Sequence, residues 1–65
     1  MKYSHIYRIA PHYRSVTIWT CDAATRQLIG TSICKPFPNQ DRKQRHATIC
    51  RRLRDERIPV PAYAP

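Results

Sequence analysis

The basic side chains of this sequence are concentrated between positions 40 and 57. Seven of its cations fall there, namely Arg42, Lys43, Arg45, Arg51, Arg52, Arg54 and Arg57. Arginine carries a rigid fork of hydrogen-bond donors that matches the geometry of phosphate groups. This segment therefore predicts contact with a polyanion. The residues that we predict to bind phosphates are Lys43, Arg45, Arg51, Arg52 and Arg54.

Aromatic residues supply a second group of candidates. Tyr13 and Trp19 flank a stretch rich in strand-forming residues, and exposed rings on a sheet stack unpaired bases. We predict base contacts from these two rings and backbone contacts from Arg14 and Arg26. Two other interpretations stay open. The rings fill the core of a small domain, or they anchor a protein partner.

Three thiols and a histidine are potential zinc ligands. His46 and Cys50 are four residues apart, which is about one helical turn, but the close cysteine pair of common zinc sites is missing. Cys21 and Cys34 are predicted to lie toward opposite ends of a strand pair. We therefore expect no metal site, with the thiols acting as small hydrophobic side chains.

The sequence offers little for catalysis. His46 and Cys50 lack an evident orienting carboxylate, and a glycine-rich phosphate loop is excluded because Gly30 is the only glycine. A small domain also has limited room for a deep cleft. We predict a protein that is not an enzyme, with no catalytic residues and no cofactor.

Length and charge limit the class of protein. The chain has 65 residues and a formal net charge of +8, from 12 Lys and Arg against 4 Asp and Glu. This length fits one small domain, and the hydrophobic fraction of 42% is too high for a wholly disordered chain. The charge favours association with nucleic acid or with an acidic protein surface.

The odd number of cysteines, three, argues against a disulfide framework and favours a reducing compartment. The N-terminal residues contain no apolar stretch of the length that a signal peptide needs. Apolar runs are also too short for a membrane span. From these features we expect a cytoplasmic protein without membrane association.

Three extended segments precede the basic segment. Alternating and β-branched patterns predict strands over Lys2–Ile9, Tyr13–Cys21 and Arg26–Cys34, with a turn around Pro11. Prolines at positions 36 and 38 end the third strand. The fold class that follows is α+β, a three-stranded antiparallel sheet followed by one C-terminal helix.

The helix is predicted from about Gln40 to Arg57. Asp41 and Gln44 have the spacing of a capping box. The residues expected to face the sheet are His46, Ile49, Cys50 and Leu53. Acidic residues four positions from arginines predict the ion pairs Arg51–Asp55 and Arg52–Glu56.

The sheet is predicted to have an aliphatic face and an aromatic face. The aliphatic set, expected beneath the helix, comprises Ile6, Val16, Ile18, Ile29 and Ile33. Tyr7, Tyr13 and Trp19 are assigned to the other face, which we expect to be partly open.

These patterns predict a single basic domain over residues 1–58 and a proline-rich extension over residues 59–65. For the extension, disorder and folding back over the sheet are both open. The predicted function is nucleic-acid binding, with DNA and RNA not distinguished. The alternative is a small phage or mobile-element accessory protein that inhibits or recruits a host protein through an acidic surface. A homodimer is a further option, because an exposed strand edge or aromatic face favours self-association.

Overall fold

A computed structural model of the chain describes residues 2–64 and contains three strands followed by one helix. The elements are β1 (Tyr3–Ile9), β2 (Val16–Asp22), β3 (Leu28–Cys34) and α1 (Arg42–Asp55). The strands are antiparallel and adjacent in chain order. The prediction of an α+β fold with this order of elements is confirmed. Met1 and Pro65, at the ends of the predicted domain and extension, lie outside the described residues.

The second strand begins later than predicted, because a 3-10 helix occupies Pro11–Tyr13. His12 and Tyr13 both have left-handed backbone conformations, with φ of 60° and 56°. Such conformations interrupt an extended chain and turn it sharply. The connection between β1 and β2 therefore extends to Ser15, and Tyr13 belongs to the turn rather than to the sheet.

The helix is shorter than predicted at both ends. Asp41 keeps an extended backbone and caps the first turn, since its carboxylate accepts a hydrogen bond from the Gln44 amide at 2.8 Å. The Gln44 side chain accepts in return from the Asp41 amide at 2.9 Å, which confirms the capping box. At the other end Arg57 has a φ of 58°, a left-handed conformation that cannot continue a helix.

The core lies between α1 and one face of the sheet. Val16 and Ile18 of β2 meet Ile49 and Leu53 of α1, and all four side chains are at most 1% exposed. The prediction that the helix covers the face carrying Val16 and Ile18 is confirmed. Burial of these aliphatic side chains removes apolar surface from water and stabilises the fold.

The prediction that Ile6, Ile29 and Ile33 lie beneath the helix is wrong. Ile6 lies opposite Trp19 and Ile33 opposite Thr17, and both isoleucines are 61% exposed on the uncovered side. Ile29 falls at a register irregularity in β3 and is also exposed. A shift of one residue in register moves a side chain to the opposite face, so composition alone did not fix these positions.

The predicted aromatic face is also wrong. Tyr7 lies opposite Ile18 and packs against the core, and Tyr13 is buried within the core cluster. Of the three rings, only Trp19 is on the uncovered side, where it lies opposite Ile6. The left-handed turn at Tyr13 places its ring against α1, 4.9 Å from the His46 ring.

The segment after α1 folds back against the helix and the 3-10 helix rather than over the sheet. Ile58 is buried in the core, and the Ala64 amide donates a hydrogen bond to the Tyr13 hydroxyl at 2.9 Å. The Tyr63 ring stacks on Tyr13 at 5.8 Å. Residues 59–64 form neither helix nor strand. Within the described part of the chain, no helix has the length and apolar character needed to cross a membrane.

Candidate nucleic-acid interface

Three of the predicted phosphate-binding residues line the outer side of α1. Lys43, Arg51 and Arg54 are exposed, and together with Ala47 they follow one another at helical spacings of four, four and three residues. Residues at these spacings follow one line along a helix, in which Arg51 lies opposite the buried Leu53 while Lys43 and Arg54 lie at the flank next to Cys50. We call these four residues the cationic stripe. It extends over roughly 16 Å, at about 1.5 Å per residue.

The stripe's cations are free of internal partners within residues 2–64. No ion pair or side-chain hydrogen bond joins Lys43, Arg51 or Arg54 to another residue in that range. The predicted pair between Arg51 and Asp55 does not form there. The stripe therefore leaves its full set of hydrogen-bond donors to solvent or to a ligand.

Arg45 and Arg52 are placed differently from the stripe. The Arg45 side chain donates hydrogen bonds to the carbonyl oxygens of His12 at 2.9 Å and Gln40 at 2.8 Å. These bonds connect α1 to the 3-10 helix and to the residues just before α1. Arg52 forms the predicted ion pair with Glu56 at 3.2 Å. Both residues are half-buried, so part of their donor capacity is used in maintaining the fold.

Arg42 also has an internal position. Its guanidinium lies 5.6 Å from the centre of the Tyr13 ring, within the range of a cation–π contact. The Nε atom is buried and has no hydrogen-bond partner among residues 2–64. Arg42 therefore packs within the fold and is not part of the exposed basic surface.

The remaining predicted site residues do not form one surface. Arg14 and Arg26 are both exposed, but Arg14 precedes β2 and Arg26 follows it, at opposite ends of that strand. Tyr13 is buried beside α1, whereas Trp19 is half-buried on the far side of the sheet. The structure thus brings together the stripe but not the aromatic pair.

A shallow pocket of about 270 Å³ adjoins the stripe. Its lining residues are Phe37, Gln40, Gln44, Ala47, Thr48 and Arg51. Phe37 is 69% exposed, the highest value among the large hydrophobic residues described. The sequence patterns predicted no role for this phenylalanine. Its position between two prolines, five residues before the start of the basic helix, was the available signal.

The side of the sheet away from α1 is uncovered and largely apolar. Its exposed aliphatic residues are Ile6, Leu28 and Ile33, and Trp19 lies between the strands that carry them. Arg8 is the one charged residue that the register of residues 3–34 places on the same side. We call these five residues the open face.

The thiols form no shared site. Cys21 lies opposite Leu28 and Cys34 opposite Val16, which confirms that these two cysteines are at opposite ends of the strand pair. Cys50 is buried with its sulfur 3.4 Å from the His46 Nε2 atom. All three cysteines are unpaired by disulfides.

The last residue of β2, Asp22, carries a hydrogen-bonded carboxylate next to the β2–β3 loop. Asp22 accepts hydrogen bonds from the amides of Thr25 at 3.1 Å and Ala24 at 2.8 Å. These bonds stabilise the ionised form and hold the pKa of Asp22 below its ordinary value of 3.8. The carboxylate therefore orders the loop that precedes β3.

Comparison of the chain with protein-family models, with curated proteins and with solved structures finds no match.

Proposed function

We propose that the protein binds nucleic acid through the cationic stripe. The observation that carries this proposal is the presence of three exposed cations, Lys43, Arg51 and Arg54, on one side of a capped helix and without internal partners in residues 2–64. A helix of 14 residues that packs on a sheet holds these groups at fixed spacing. Pre-organised cations suit a regular array of phosphates.

The net charge of +8 supports the same proposal by a longer-range effect. A strongly positive chain attracts polyanions and releases their condensed counterions when it binds. Arg14 and Arg26 add exposed charge at either end of β2 and would strengthen this attraction. Arg45 and Arg52 have a smaller part in the proposal, because the fold already uses some of their donors.

The role that we propose is binding rather than catalysis. Its proposed setting is the reducing interior of a cell, which the three free thiols favour.

The direct test compares two double variants that remove equal charge. Fluorescence anisotropy of a labelled oligonucleotide would be measured at several salt concentrations for Arg51→Ala/Arg54→Ala and for Lys2→Ala/Arg8→Ala. The logarithm of the binding constant falls linearly with the logarithm of the salt concentration, with a slope of about 0.9 per phosphate contact. Each lost contact therefore weakens binding roughly ten-fold at about 50 mM salt. We expect the stripe variant to lose about two slope units and the control to keep the wild-type slope.

Two results would contradict the proposal. Equal weakening by the two double variants would mean that net charge alone attracts the oligonucleotide. Failure of the wild-type protein to bind any nucleic acid would remove the proposed function altogether.

A second candidate function is protein binding, and the open face is the observation that favours it. Exposed aliphatic residues beside a tryptophan and an arginine have the composition of interface anchors. A small accessory protein that inhibits or recruits a host protein would use this side, with Arg8 meeting an acidic group. Under this alternative, Trp19→Ala abolishes partner binding and Arg51→Ala/Arg54→Ala leaves it intact.

A further inference from the structure

We infer that the pocket between Phe37 and Arg51 binds an unpaired nucleobase, so that the nucleic acid held by the stripe is single-stranded where it crosses this pocket. The inference rests on the proposed function, because Arg51 belongs both to the pocket lining and to the stripe. It extends that function by naming the form of nucleic acid and the residue that receives a base.

The size of the pocket suits one flat ring system. Its volume of about 270 Å³ is just below the roughly 300–1,000 Å³ of pockets that hold drug-sized molecules. Ala47 contributes only a methyl group to the wall, which keeps the space beside Arg51 open. A base whose phosphate lies toward Arg51 fits this arrangement.

Phe37 provides an aromatic surface with no role in the core. The side chain is 69% exposed and does not belong to the core cluster. Pro36 and Pro38 restrict the backbone on both sides, since each proline ring fixes its φ angle and limits the residue before it. The restricted backbone loses less conformational freedom when the ring stacks on a base.

The polar lining of the pocket presents donors. The Gln40 side-chain oxygen accepts from the Phe37 amide at 3.2 Å and from the Thr48 hydroxyl at 3.1 Å. The Gln44 side-chain oxygen accepts from the Asp41 amide. The NH₂ groups of both glutamines donate no hydrogen bond within residues 2–64 and are therefore available to a ligand.

Donors at this site complement the acceptor atoms of nucleobases. Carbonyl oxygens of guanine, thymine and uracil, and ring nitrogens of purines, accept hydrogen bonds once a base is unpaired. The residues that line the pocket include no carboxylate. The same donors would therefore face no competing negative charge within the lining.

The test separates stacking from phosphate contact. A thymidine oligonucleotide of about ten nucleotides would be compared with an abasic sugar–phosphate strand of equal length and charge, with anisotropy as the readout. We expect the wild-type protein to bind the thymidine strand roughly 5- to 100-fold more tightly, the range that stacking of one base produces. Phe37→Ala should remove this difference and leave abasic binding unchanged.

Two further variants act as controls. Tyr3→Ala removes another exposed aromatic ring. Tyr3 lies opposite Asp22 at one end of β2, whereas the segment that carries Phe37 follows β3 at the other end of β2. It should retain the full preference for bases. Phe37→Tyr keeps an aromatic ring and should retain tight binding, which guards against a loss caused by misfolding.

The outcomes distinguish the two proposals. Equal, salt-dependent binding of both strands by the wild-type protein, unaffected by Phe37→Ala, overturns the base pocket and leaves the stripe as a phosphate-binding surface. Tighter binding of the thymidine strand that Tyr3→Ala abolishes would also overturn it. Binding of neither strand overturns the proposed function together with the pocket.

Discussion

The outer side of α1 and the open face of the sheet are both exposed, but they differ in chemistry. The stripe carries three cations without partners in the described chain, whereas the open face exposes Ile6, Leu28 and Ile33. The two surfaces lie on opposite sides of the molecule, because α1 packs on the other face of the sheet. The surface proposed to bind a polyanion is therefore separated by the sheet from the surface proposed to bind a protein.

One helix explains why the sheet is covered on a single side. Ile49 and Leu53 reach Val16 and Ile18, but the 65-residue chain has no second helix for the reverse face within its described part. Antiparallel sheets commonly pack one face and leave the other to solvent. The open face is unusual in exposing three large aliphatic side chains where polar residues are typical.

The largest expected difference between the two sides of the sheet concerns stability. Ile18→Ala removes a buried side chain and should lower the free energy of unfolding by about 2–5 kcal/mol. Ile33→Ala removes the same atoms from an exposed position and should change it by no more than about 0.5 kcal/mol. Urea denaturation followed by circular dichroism measures both.

A large loss of stability in Ile33→Ala would break the comparison. It would show that the open face is buried in solution, for example against a second copy of the chain. Sedimentation at several concentrations would then establish the oligomeric state.

A smaller effect is expected at the start of the helix that carries the stripe. Asp41→Ala deletes the cap and should lower the free energy of unfolding by about 1 kcal/mol, while Asp41→Asn should retain most of it. Asp55→Ala is the matched control. Its carboxylate lies in the last helical turn, where negative charge is unfavourable to the helix dipole, so its removal should be neutral or slightly stabilising.

Thermal melts of these three variants provide the measurement. Equal destabilisation by Asp41→Ala and Asp55→Ala would mean that general charge effects, rather than the cap, fix the start of α1.

The smallest expected effect is pH-dependent and concerns the loop between β2 and β3. The pKa of Asp22 is lowered in the folded chain by the amides of Thr25 and Ala24. Its stabilising contribution is therefore present above the ordinary value of 3.8 and is lost as pH falls through the lower folded-state pKa.

Asp22→Ala should accordingly be less stable than the wild type at about pH 7, with a gap that narrows toward about pH 2. Urea midpoints at the two pH values measure this change, and Asp55→Ala again serves as control. A gap that stays constant with pH would show that the ionised Asp22 carboxylate does not order the loop.

Most of the fold was predictable from local sequence signals. β-branched residues identified β2, prolines ended β3, and the spacing of Asp41 and Gln44 predicted the cap that the structure contains. The Arg52–Glu56 pair followed from helical spacing. Each of these features depends on residues close together in the chain, which is why patterns and propensities were sufficient.

The faces of the sheet were less predictable, because they depend on register. The 3-10 helix between β1 and β2 sets which residues pair, and it places Ile6 opposite Trp19 rather than beside the core. The hydrogen bonds that Arg45 donates to the carbonyl oxygens of His12 and Gln40 do not follow from helical spacing. Such contacts arise only when the elements pack together. The count of basic residues in the sequence is therefore larger than the number of cations that are free to bind a ligand.

The most direct test of the central claim is an NMR titration of the isotopically labelled protein with a single-stranded oligonucleotide. The account predicts amide shift changes concentrated on α1 from Lys43 to Arg54 and around Phe37, with little change at Thr17–Trp19 or Thr31–Ile33. Changes concentrated on those β2 and β3 residues, with α1 unaffected, would contradict it and assign binding to the open face.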